Sequence, residues 1–123
     1  MEFEQDWFMR QIHQLANFIA HIVLQKELTN YTIIDESNLT QSDLLYSKIK
    51  NLLNERKICE AEDLMFDTLD TSDNRYLELA LDFYQSISLL SEEELKSCNF
   101  SREEIQSGLN EILNRFNIPD FEF

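Results

Sequence analysis

Residues 44–69, LLYSKIKNLLNERKICEAEDLMFDTL, decide the fold of this chain. Leu45, Ile49, Leu52 and Leu53 recur at helical spacing, and the polar residues 54–57 interrupt the stripe. Ile58, Ala61, Met65 and Leu69 then resume it, with Leu64 beside them. Two amphipathic helices joined by so short a turn pack as a helical hairpin. Thr40 supplies an N-cap with Asp43 at the third helical position, and the first helix of the pair ends near Asn54.

Working outward, residues 4–26 place Phe8, Ile12, Leu15, Ile19 and Ile22 at alternating spacings of four and three, which predicts an N-terminal helix. Residues 28–39 break that period, and the β-branched cluster at residues 32–34 is poor helix material, so this stretch reads as a linker with room for one extended piece. Beyond the hairpin, Tyr76, Leu77, Ala80, Leu81, Phe83, Tyr84 and Ile87 cover more than half of a helix and leave Glu78, Asp82, Gln85 and Ser86 for water. So wide a stripe predicts burial on two sides and the centre of the core. Ser91 with Glu94 and Ser101 with Glu104 fit the capping-box spacing and open two more helices. The second of these buries Ile105, Leu109, Ile112, Leu113 and Phe116 and tolerates Gly108, where two helices can approach closely. Pro119 stops it, leaving a tail over residues 118–123 in which Phe121 and Phe123 alternate with acids and are expected to dock.

The chain is therefore expected to be all-α, with about five to six helices forming antiparallel hairpins in one domain over residues 1–123 and a helical core at 40–117. One Gly and one Pro in 123 residues agree with few sharp turns, and 43% hydrophobic residues suffice for one core. With 24 Asp and Glu against 10 Lys and Arg, the formal charge of −14 repels phosphate backbones and anionic lipid, so no nucleic acid is expected as a partner. The most apolar run, residues 18–24, is interrupted by His21 and is far shorter than the roughly 20 residues that span a bilayer, so no membrane insertion is expected. Cys59 and Cys98 stand in no metal or redox spacing, and the acidic N-terminus lacks the positive charge of an export signal. A cytoplasmic location with reduced thiols follows.

Two surfaces could meet a partner. The side of the first helix carrying Trp7, Arg10, Gln14, Phe18 and His21 is poor in acids within a strongly acidic chain, and Trp7 and Phe18 line up along it as anchors or as residues the chain itself covers. Glu60, Asp63, Asp67 and Asp70 form an acidic face on the third helix, suited to a basic partner, to a cation or simply to solvation. His13 and His21 are two helical turns apart, too far for paired metal ligation, and neither a nucleophile elbow nor a glycine-rich phosphate loop is present in the sequence. No catalytic residue, metal ligand or cofactor is assigned.

KICEAEDLMFDTL, residues 57–69, resembles the second half of a tetratricopeptide repeat, with Ala61 at the small position where helices cross. It departs from that pattern in having Arg56 and Lys57 in the turn, Thr68 at the later small position, and no second copy at a period of about 34 residues. Over its length the chain resembles an uncharacterised family of short acidic bacterial proteins carrying a domain of unknown function. The resemblance is carried by FEQDWFMRQI, KICEAEDLMFDTLDTSDNRYLELALDFY and NFSREEIQSGLNEI. It implies a bacterial cytosolic protein and transfers no site residues.

The leading expectation is a non-enzymatic protein–protein interaction or scaffold module that uses a helical groove or the N-terminal helix, with self-association through that helix as one version. An acidic mimic that occupies a basic protein surface is the first alternative, and an enzyme whose site is assembled from distant residues is the second. A concave surface with exposed apolar or aromatic residues would favour the interaction module.

Overall fold

A computed structural model of the chain describes residues 2–24 and 30–118, with the side chains of residues 2–8, 22 and 23 excepted. The described residues form six helices and no strand: α1 (Glu2–Val23), α2 (Gln41–Asn54), α3 (Ile58–Thr68), α4 (Asn74–Ser88), α5 (Glu92–Ser97) and α6 (Arg102–Arg115). The all-α expectation therefore holds. The first helix begins two residues earlier and closes three residues earlier than the 4–26 read from its stripe.

α4 is the organising element. Ten of its fifteen residues are buried, because α1, α2 and α6 all pack on it while α3 packs on α2. Its apolar width explains that position, since a helix apolar over more than half its circumference must be covered on several sides. Asp82, assigned to water above, is instead buried at 7% exposure. The correction has a clear cause: the backbone N–H of Tyr31 donates to its Oδ2 at 2.7 Å, Ser86 Oγ donates to its Oδ1 at 3.2 Å, and Tyr46 Oη approaches at 3.5 Å. A buried carboxylate is tolerable where donors replace its water.

The helix starts follow the sequence. Thr40 Oγ1 accepts from Asp43 N–H while Asp43 Oδ2 accepts from Thr40 N–H, and Ser91 with Glu94 makes the same reciprocal pair. At Ser101 only half of the box forms: its hydroxyl accepts from Glu104 N–H, but the Glu104 carboxylate accepts from that hydroxyl rather than from the backbone. Such caps are each worth about 1 kcal/mol.

The helix ends are less obvious in a chain with one glycine. α2, α5 and α6 all close on a left-handed residue, Arg56 at φ 64°, Asn99 at φ 57° and Asn117 at φ 57°. In each, the next N–H reaches back to the carbonyl at the third-last helical position: Lys57 to Leu52, Phe100 to Leu95 and Ile118 to Leu113. These are Schellman closures built without glycine, and buried Phe100 and Ile118 follow buried Leu95 and Leu113 as that motif favours.

Gly108 is the close approach anticipated for α6. Tyr84 of α4 lies directly over it and donates from its hydroxyl to Glu62 Oε2 of α3 at 2.5 Å. A Cβ at position 108 would lie 2.5 Å from Tyr84 Cζ, 2.6 Å from Glu62 Oε2, and closer still to the Tyr84 hydroxyl. One missing side chain thus lets α3, α4 and α6 meet.

Candidate functional site

The segment read as a linker is tied down over its described part. Tyr31, 3% exposed, donates from Oη to Asp43 Oδ1 at 2.5 Å and shares a hydrogen bond with Ser42 Oγ at 2.7 Å. Its ring stacks on Tyr46 at 4.6 Å between centroids, and the Arg75 guanidinium sits 4.1 Å over it. Arg75 also donates to Thr32 O at 2.5 Å, to Glu78 Oε2 at 2.6 Å and to Asp43 Oδ1 at 3.2 Å. Burial and the Asp43 hydrogen bond push the Tyr31 hydroxyl up, while the Tyr31 donor holds the Asp43 carboxyl below its ordinary range. Burial and the nearby Asp82 charge push Tyr46 up to about 12. These groups satisfy one another, so the cluster is a clasp fastening residues 30–33 across α2 and α4, with no polar atom turned toward a ligand.

The surfaces singled out from sequence separate into two places. Arg10, Gln14, Phe18 and His21 all lie exposed on the outer side of α1, within about 80° of arc at 100° per residue, and Phe18 is 47% exposed. The Trp7 side chain lies outside the described residues, as do Phe121 and Phe123 of the tail. His13, on the same acid-poor arc, turns inward to within 3.1 Å of Ser88 Oγ on α4, and burial pushes its pKa down. Ser88 Oγ also donates to Gln85 O at 2.7 Å, so its hydroxyl ties the first helix to the last turn of α4.

On α3, Glu60, Asp63 and Asp67 are exposed side by side, and Asp70 follows in the turn, where its carboxylate accepts from the Ser72 hydroxyl at 2.6 Å and backbone N–H at 3.0 Å. Among the described residues no three potential ligands are placed to hold a metal ion. Glu62, facing α6 in a shallow acidic depression with Glu104 and Glu111, has its carboxyl pushed up chiefly by burial.

The groove that the sequence did not reveal lies where α2 ends, α3 begins and α4 ends. Leu53, Ile58, Ile87 and Leu90 make its apolar floor, Asn54 and Ser86 its polar edge, and Lys50 and Arg56 its cationic rim, around about 360 Å³ of open volume. That is at the small end of ligand-sized pockets, roughly 300–1,000 Å³. Leu89, which precedes Leu90 in the chain, is 73% exposed. The groove exists because the left-handed turn at Arg56 bends the chain sharply between α2 and α3, while α4 runs past the bend. No side chain caps the N-terminus of α3 beside Ile58. The two cations are loosely engaged: Lys50 Nζ lies 5.6 Å from the Tyr46 ring centroid, and Arg56 meets Glu94 at 3.4 Å with more than half of its side chain exposed. The signal in sequence was slight, since these residues lie in three helices and one turn and only their co-location makes a surface.

Comparison with curated proteins and with solved structures finds no match for the chain. The model of a family of unknown function (DUF6483) matches residues 2–117, nearly the whole helical body with its groove, clasp and acidic face. The chain belongs to that family.

Proposed function

We propose that the chain is a non-enzymatic protein–protein interaction module, one helical domain that receives a partner segment in the groove between α2, the start of α3 and the end of α4. The observation carrying this reading is the groove's composition: an apolar floor with a rim of Lys50 and Arg56 and no carboxylate among its lining residues, on a chain of net charge −14. An apolar floor gains from being covered, and a locally cationic rim selects what covers it. The tetratricopeptide-like reading of the α2–α3 hairpin is in keeping with this, because Ala61 is fully buried where the hairpin closes and such hairpins present peptide grooves. A bacterial cytoplasmic setting goes with the reading, and no helix among the described residues is long and apolar enough to cross a membrane.

The exposed stripe of Arg10, Gln14, Phe18 and His21 on α1 is the second surface, favoured by Phe18. The acidic-mimic alternative has only the short row Glu60, Asp63 and Asp67, which spans about 10 Å at 1.5 Å per residue.

The test is affinity capture from a native extract with wild type, Leu90→Glu and Phe18→Ala, each first checked for native helicity. A specific partner lost with Leu90→Glu and kept with Phe18→Ala supports the groove. The opposite pattern moves the function to α1.

A further inference from the structure

Three concave surfaces of the molecule differ in charge. The groove is lined by Lys50 and Arg56 with no carboxylate. The depression between α5 and α6 balances two cations against two carboxylates, and the one between α3 and α6 sets three carboxylates against Arg115. Of these three the groove alone attracts an acidic occupant, on a chain whose net charge of −14 repels one almost everywhere else.

Both rim cations can change partners at little cost. Lys50 makes no ion pair among the described residues, and its Nζ lies 5.6 Å from the Tyr46 ring centroid. Arg56 meets Glu94 at 3.4 Å in an exposed pair, which contributes little to stability. Glu94 does not depend on that pair, because its other oxygen accepts from Ser91 N–H at 3.0 Å at the start of α5. Glu55, the chain neighbour of Arg56, is engaged by Lys57 at 3.2 Å.

The shape narrows the occupant further. About 360 Å³ of open volume takes side chains but not a helix about 10–12 Å across. An extended segment fits, because its alternate side chains point to opposite sides: apolar residues drop onto Leu53, Ile87 and Leu90 while the carboxylates between them stay at the level of the rim. Same-side positions of such a segment repeat at about 6.6 Å. Lys50 and Asn54 are about 6 Å apart along α2, at 1.5 Å per residue, with Arg56 just beyond in the turn. Two carboxylates two residues apart therefore match the two ends of the rim, whereas an amphiphile with one carboxylate serves only one of them.

Resting on the groove as a binding surface, we infer that its occupant is an extended acidic segment of another protein, in which large apolar residues alternate with Asp or Glu.

The experiment is selection of displayed random heptapeptides on the full chain, with Leu90→Glu as counter-selection, followed by titration of the enriched sequence as a synthetic peptide blocked at both ends. Native helicity is confirmed for each variant. Should Leu90→Glu lose it, Lys50→Gln with Arg56→Asn serves as the counter-selection, since Asn tolerates the left-handed turn. Acidic sequences with apolar residues at alternate positions are expected. Their peptide should bind Leu90→Glu at least about tenfold more weakly than wild type, and the double cation variant about tenfold more weakly, or about 1.4 kcal/mol over two charge pairs. Glu94→Gln frees Arg56 while its amide oxygen still accepts from Ser91, and should tighten binding about twofold. Enriched sequences that are neutral or basic, acidic ones that bind Leu90→Glu as well as wild type, affinity unmoved by the two cation replacements, or no enrichment each overturns the proposal. If dodecanoate binds wild type and not Leu90→Glu where no peptide does, or wild type self-associates on sedimentation and Leu90→Glu does not, the occupant is an amphiphile or a second copy and the groove stands. If neither peptide, dodecanoate, self-association nor capture depends on Leu90, the groove falls with it.

Discussion

Replacing Gly108 with Ala sets two effects of opposite sign against each other. On helix propensity alone the change stabilises α6 by about 1 kcal/mol. At this position, however, the added Cβ would lie 2.5 Å from Tyr84 Cζ and 2.6 Å from Glu62 Oε2. Neither neighbour yields freely, since Tyr84 is fully buried in the most enclosed helix of the molecule and Glu62 is fixed by the Tyr84 hydroxyl at 2.5 Å. Overpacking of this kind costs about 1–3 kcal/mol, and separating the hydroxyl from the carboxylate adds about 1–3 kcal/mol for the buried group left unpaired. The balance is a loss of about 1–5 kcal/mol. Urea denaturation of wild type and Gly108→Ala measures it through the midpoint at unchanged slope. Tyr84→Phe, which removes the nearest atom, should make the Ala substitution less costly, giving a coupling of about 1 kcal/mol or more in a double-mutant cycle. A Gly108→Ala protein that is more stable than wild type, or effects that simply add, would refute the account of how α3, α4 and α6 meet.

Three further perturbations follow from the same contacts. Tyr31→Phe removes the donor that holds the Asp43 carboxyl low and should cost about 1–3 kcal/mol at neutral pH by thermal unfolding. Because the folded pKa of Asp43 lies below its unfolded value, its contribution is present above that unfolded value and lost as pH falls through the folded one. The variant should therefore show a shallower acid limb of stability than wild type. For Glu62 the sign is opposite: its folded carboxyl is raised, so the associated stability is present at low pH and lost as pH rises through the raised value. Glu62→Gln keeps an acceptor for Tyr84 without the charge, and should flatten that loss and equal or exceed wild type at neutral pH. Arg56→Gly relieves a left-handed side chain at φ 64° and should raise the unfolding temperature, by about 0.5–1 kcal/mol in stability.

The helical framework was legible because its signals are local. Leu45 and Ile49, or Ile105 and Leu109, sit one helical turn apart, and Thr40 and Ser91 announce their helices within four residues. The stripe on α4 even identified the central element. Asp82 was misread, and the anchoring of Tyr31 within the linker went unseen, for a shared reason: the hydrogen bond joining them spans 51 positions, and no local pattern marks either end. A buried Asp in an amphipathic helix looks like a surface Asp until its donors are located. The end of α2 near Asn54 was legible from the loss of its stripe, but the left-handed closures at Arg56, Asn99 and Asn117 carry no glycine to announce them. On the surface, Arg10, Gln14, Phe18 and His21 share one face of one helix, so their spacing alone groups them. Leu53, Ile58 and Leu90 could not be joined in that way, since the groove they line is created by the bend at Arg56 and the passage of α4 beneath it.

The most direct test of the groove as a binding surface is site-specific photo-crosslinking in native extract, with a benzophenone side chain placed at Leu53, at Leu90 or at Phe18 in otherwise unaltered chains. A discrete adduct of the same composition from Leu53 and Leu90, absent from Phe18, is the result this account requires. Adducts from Phe18 with none from Leu53 or Leu90 would contradict it and place the binding surface on α1.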